Sequence, residues 1–147
     1  MSTKVKIEGL KEAQIALRKL PDATAKSVMR RVLKTHGKAI QKRAQELAPE
    51  DAGDLRESIV VSTKLTKRQR KQHRKASKDD VEVYIGANDA PHAHMQEFGT
   101  KNHPPQPFMR PAWDAAKRII LVGIRKDLWT EIRKAAARLA RKALKGK

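Results

Sequence analysis

His94-Met95-Gln96-Glu97-Phe98-Gly99-Thr100, followed after a four-residue spacer by Pro105-Gln106-Pro107-Phe108-Met109-Arg110-Pro111-Ala112, is the most distinctive text in the chain. Gly99 supplies the positive φ with which a chain turns sharply out of one element. Phe98 and Phe108 flank that turn as apolar anchors suited to closing a small core. Arg110 is placed to pair with Glu97, and a partly exposed pair of this kind is worth under ~1 kcal/mol. Pro111 opens a helix where proline is best tolerated. His92 to Phe98 reads as an extended segment, so a strand is expected to be pinned through Glu97 and Arg110 to the final helix.

Downstream, Trp113, Ala116, Ile120, Ile124, Leu128, Ile132, Ala136 (with Ala135), Leu139 and Ala143 form one continuous stripe. The helix carrying it exceeds thirty residues, roughly 45 Å at 1.5 Å per residue. A stripe so long is expected to bury against a neighbouring subunit or element as well as its own sheet. Upstream, Ala25, Val28, Met29, Val32, His36, Ala39, Ile40, Ala44 and Leu47 recur every three or four positions. They predict a helix of roughly seven turns, capped by Asp22 or Thr24 and ended by Pro49. Gly37 within it marks a close helix contact or a weak point. A shorter helix is expected over Glu12 to Leu20, after an extended start at Val5, Ile7 and Leu10.

Between the long helices lie a turn cluster at Glu50 to Asp54 and two predicted strands. Leu55 to Leu65 is β-branched at its centre, and Asp80 to Ala87 alternates, with Val81, Val83 and Ile85 on one side. They bracket a run in which Lys64, Lys67, Arg68, Arg70, Lys71, Arg74, Lys75 and Lys78 occur without an acid. That run is expected to be a structureless, mobile hairpin tip at about 64–79 that orders against DNA or an acidic partner. The predicted class is α+β: a small antiparallel sheet, made of a long β-hairpin plus a third strand, packed by an N-terminal helix and a long C-terminal helix. Residues 1–147 are expected to form a single domain.

The composition narrows the function. The 147 residues carry 34 Lys and Arg against 16 Asp and Glu, a formal net charge of +18. Such a surface attracts phosphate, acidic protein or anionic membrane, although charge runs are also ordinary solvated faces. With no cysteine, disulfide frameworks, thiolate metal sites and cysteine nucleophiles are excluded. The start lacks a signal-peptide pattern and the longest aliphatic run is Ile119 to Val122, so a protein made in the cytoplasm and off the membrane is expected. No phosphate-binding glycine loop or dinucleotide fingerprint occurs. His92, His94, Glu97 and His103 form a metal-like cluster, but on a strand Glu97 would face away from His92 and His94. Five aromatics, none alternating with basic residues, give no stacking platform for bases. Non-specific phosphate contact stays open.

The two segments quoted at the outset, Glu97-Phe98-Gly99-Thr100 and Pro107-Phe108-x-Arg110-Pro111-Ala112, closely resemble the signature of a family of small proteins of long non-contractile-tailed bacteriophages. These are tail-completion, or head–tail joining, proteins. A second element of that family is matched upstream by Ala48-Pro49 and then Gly53-x-Leu55-Arg56-x-Ser58-Ile59. Ala52 stands where the family usually has threonine, and the Lys64–Lys78 run is longer and more basic than typical. The resemblance implies a non-catalytic virion subunit without cofactor that forms a ring, usually sixfold, at the head-proximal end of the tail. It also implies tail terminator or tail tube and head connector or stopper proteins as partners, with non-specific contact to phage DNA conceivable at the basic run. The rival reading is a non-specific nucleic-acid-binding basic protein.

Overall fold

Two long amphipathic helices set the frame. The computed structural model describes residues 9–49, 53–73, 80–88 and 90–146. The expectations placed on Val5, Ile7, Glu50, Asp51, Ala52, Arg74, Lys75 and Lys78 lie outside them. Helix α1 spans Leu10–Arg18 and α2 spans Asp22–Leu47. Pro21, not Asp22 or Thr24, is the N-cap of α2, and no side chain caps it; Asp22 instead sits in the first turn, where its charge suits the helix dipole. The helix ends as expected. Ala48 takes an extended ψ of 138° because the following Pro49 disfavours the helical one.

The last helix, which we number α6, runs over Met109–Lys145, 37 residues or about 55 Å. It packs antiparallel along α2 through two clusters. Leu20, Val28 and Val32 meet Leu128, Ile132 and Ala135 at one end, with Ala13 of α1. Ile40, Ala44 and Ala48 meet Phe108, Ala112 and Ile120 at the other, with Leu55 and Ile59. The stripe of α6 is therefore covered by α1 and α2 over its C-terminal half. Three of its expected members are exposed, Trp113 (50%), Ala136 and Ala143, while Ala135 beside Ala136 is buried. A straight helix of 3.6 residues per turn cannot hold one stripe against a partner over ten turns, so the buried face drifts around it.

A polar seam separates the two clusters. His36 Nε2 lies 2.7 Å from Asp127 Oδ2 across the helix pair. Gly123 makes the approach possible, since a Cβ there would stand 2.5 Å from His36 Cε1. Gly37, on the next position of α2, lies against the sheet: an added Cβ would meet Val61 at 3.0 Å and Ile85 at 3.5 Å.

The sheet is smaller than the alternation predicts. β1 is Ile59–Ser62 and β2 is Tyr84–Ala87, paired antiparallel from Ile59 with Ala87 to Ser62 with Tyr84. Leu55 to Ser58, expected as strand, belongs instead to helix α3, Gly53–Ser58. There Ser58 Oγ donates back to the Leu55 carbonyl at 2.7 Å, and Gln45 on α2 takes the Arg56 carbonyl at 3.1 Å. The connection between the strands is not structureless. Lys67–Gln72 form helix α4, started by a capping box in which Thr66 Oγ1 accepts from Gln69 N and Gln69 Oε1 accepts from Thr66 N. The expected third strand is absent among the described residues. Ala93–Phe98 is helix α5, closed by the Gly99 amide donating to the Met95 carbonyl at 2.8 Å.

Leu128→Ala is expected to cost about 2–5 kcal/mol, since it empties a buried position between α1, α2 and α6. Ile119→Ala, on the same helix but 76% exposed, should change stability by no more than about 0.5 kcal/mol. Urea denaturation of both variants checks this, and equal losses would mean that α6 packs differently.

Candidate functional site

The N-terminus of α6 begins at Phe108, which offers no side-chain cap. Four amides at any helix start lack intrahelical partners. Here Glu97, 5% exposed and carried in from α5, supplies the missing acceptor. Its Oε2 accepts from the amides of Phe108 (2.8 Å) and Met109 (2.9 Å). Its Oε1 accepts from the Arg110 amide (3.0 Å) and from Arg110 Nε (2.9 Å). Arg110 Nη2 also donates to the Glu97 carbonyl at 3.0 Å. The expected Glu97–Arg110 pair forms, but it pins helix to helix rather than strand to helix. Burial pushes the Glu97 carboxyl up, while the three amides and the guanidinium together outweigh burial and hold it below the ordinary 4.5.

Gly99 allows that carboxylate to be delivered. Its φ of +76° is one that side chains rarely adopt, and a Cβ would stand 2.8 Å from Pro105 N. Thr100 and His103 then close a small bridge, and the Gln106 amide returns to the Gln96 carbonyl at 2.7 Å. Phe108 is buried against Ile59 and Ala112, as an anchor should be. Phe98 is not an anchor: it is 64% exposed, with the Arg110 guanidinium 4.7 Å above its ring. Turning Glu97 into the helix start leaves Phe98, the next residue of a short helix, pointing outward. Pro107 is exposed, and Pro111 stands within the first turn, where its missing N–H costs nothing.

The second sequence element closes the other end of the same core. Arg56 Nε and Nη2 donate to the Ala48 carbonyl at 3.1 and 2.9 Å, where Pro49 has stopped α2. Leu55 is buried with Ala48, Phe108 and Ala112, so the two distinctive segments converge on one cluster. The Ser58 carbonyl accepts from the Asn88 amide at 2.7 Å, tying α3 to the strand that follows α4.

The remaining candidates are dispersed. His92, His94 and His103 are exposed, and both Glu97 oxygens are engaged at α6. Among the described residues no group of three or more His, Cys, Asp or Glu could hold a metal ion. Lys67, Arg68, Arg70 and Lys71 stand on the solvent-facing helix α4, just after Lys64. That helix is stitched to the strand side by His73, whose Nε2 lies 2.9 Å from Glu82 Oε2 and whose ring meets Tyr84 edge-on at 5.4 Å. The Tyr84 hydroxyl also donates to Glu82, and this bond, with desolvation and the nearby charge, raises its pKa. Three features go beyond the sequence-based expectations: the His36–Asp127 seam, the cap on α4 and the backbone side of Glu97. Thr66-x-x-Gln69 is a readable signal for the second.

The family model described as Bacteriophage HK97-gp10, putative tail-component, matches residues 11–99. That is well over half of the chain, from α1 through α5 to Gly99, and the chain belongs to this HK97-gp10-like family of phage tail components. It is a tail-related structural component of the virion. No curated protein and no solved structure matches it. Among the described residues, no helix is long and apolar enough to cross a membrane.

Glu97→Ala should destabilise the fold by about 3 kcal/mol, because it strands buried amides as well as removing a charge. Arg110→Ala should cost under ~1 kcal/mol, since that side chain is more than half exposed. The depressed Glu97 pKa means that its stabilisation is fully present above the ordinary 4.5 and is lost as pH falls through the lower folded-state value. The stability gap between wild type and Glu97→Gln should accordingly close in acid, as measured by denaturation at a series of pH values. A gap independent of pH would show that the carboxylate charge is not what caps α6.

Proposed function

We propose that this chain is the ring subunit that completes the phage tail and joins it to the head, acting without catalysis. Membership of a tail-component family supports a structural role. The single observation that carries the finer reading is the exposed aromatic corner where α5 meets α6. Phe98 and Trp113, with Arg110 between them, present large side chains to solvent at the end of α6 held by Glu97. Aromatics and arginine are the residues that dominate interface energetics. A closed ring needs a heterologous contact, in which one patch meets a different patch on the next subunit. In this reading the corner seats on a neighbouring copy in a sixfold ring, whose two faces meet the tail terminator or tube and the head connector or stopper.

Phe98→Asp combined with Trp113→Asp should leave the circular dichroism and melting of the free subunit nearly unchanged, because both side chains are half exposed or more. Native mass and negative-stain imaging should show rings for the wild type and single subunits for the variant, and the variant should not join purified tails to filled heads. Rings that persist in the variant would remove the corner from the contact. A wild type that neither assembles nor joins heads to tails would overturn the ring reading itself.

A further inference from the structure

The groove between α2 and the C-terminal half of α6 is lined by Arg31, Arg133, Lys134, Arg138 and Arg141 against one carboxylate, Glu131. That carboxylate is already engaged, by Arg31 Nη1 from α2 and by Lys134 Nζ at 3.2 Å. Arg133 and Arg141 have no acidic partner among the described residues. The outer face of α2 adds Arg30, Lys34, Lys38 and Lys42 at successive four-residue steps, without an acidic partner among the described residues. We propose that this interhelical groove binds the phosphate backbone of duplex DNA without reading bases.

The chemistry of the lining selects that partner. Four of the five cations are arginines, whose planar guanidinium matches phosphate oxygens in pairs. Arg133 to Arg141 span about 12 Å of helix axis, beside which a duplex carries roughly seven phosphate charges. No aromatic side chain lines the groove, so it lacks the stacking surface that holds unpaired bases. Its apolar lining is Ala137 alone, whereas the core of a protein interface is depleted of charge and rich in aromatics. The inference does not rest on the ring reading, because every residue that lines the groove belongs to one chain.

The test is a titration of the full chain into a labelled mixed-sequence duplex over a salt series. Substituting Arg133→Gln, Arg138→Gln and Arg141→Gln together should flatten the slope of log affinity against log salt by about 2.7, at about 0.9 for each phosphate no longer neutralised. A matched triple on α4, Lys67→Gln, Arg68→Gln and Lys71→Gln, should change the slope by less than about one. Circular dichroism of both triples establishes that the helices remain. Equal flattening in the two triples would reduce the effect to overall charge and overturn the site, as would a groove triple that leaves the slope unchanged. Tighter binding of the single strand than of the duplex, or displacement of the duplex by polyglutamate at equal charge, would overturn duplex backbone as the ligand.

Discussion

The arrangement of this molecule follows from a buried carboxylate at the start of a 37-residue helix. Glu97 satisfies three amides that α6 cannot satisfy itself, and it brings their positive partial charge against a full negative one. That bond set decides where α6 begins. It places Phe108 inside the core beside Ile59 and Ala112, and so fixes the register of α6 along α2 from its first turn. The same geometry has an outward consequence: with Glu97 turned in, Phe98 is turned out, and Arg110 lies over its ring. One carboxylate thus determines both the packed interior and the exposed corner.

How much of this is legible in the sequence depends on the length over which a signal repeats. The long helices α2 and α6 show their period over many turns, and the breaks at Pro49 and Gly99 are backbone constraints that no tertiary context removes. The Glu97–Arg110 pairing is readable too, but the sequence understates its weight. The guanidinium partner is visible there, whereas the backbone amides, which matter more, have no letter of their own. Short segments carry no usable period. Ala93 to Phe98 and Gly53 to Ser58 are six residues each, and either reads as strand or as a short helix. What decides them is non-local: the need to aim Glu97 at α6, and the capture of the Arg56 carbonyl by Gln45 of α2. The α4 cap is a local signal, hidden under a charge run whose sign is more conspicuous than its spacing.

The helix pair itself is two cores with a polar joint. His36 and Asp127 meet where the buried face of α6 passes from one cluster to the other, and Ile124 packs against both clusters beside them. A continuous apolar seam would let the helices slide by one turn with little penalty. A single hydrogen-bonded pair seated against Gly123 penalises that slip, because sliding takes the largely buried His36 away from its partner. The residue the sequence places among apolar positions, His36, therefore serves register more than burial.

Most residues of the distinctive segments serve the interior, and Phe98 and Arg110 are the two that also reach a proposed contact surface. Pro49, Leu55, Arg56, Glu97, Gly99, Phe108 and Ala112 close backbone ends or fill one cluster, so they specify this fold and leave little of themselves for a partner. What faces solvent is the aromatic corner at one end of α6 and the arginine groove near the other. From Trp113 to Arg138 is about 38 Å along a single rigid helix. A helix longer than its own sheet requires is difficult to explain by stability alone, since its last turns from Ala140 onward bury nothing among the described residues. Its length separates two chemically different surfaces, one suited to burying aromatics and one suited to a polyanion, and holds them at a fixed distance.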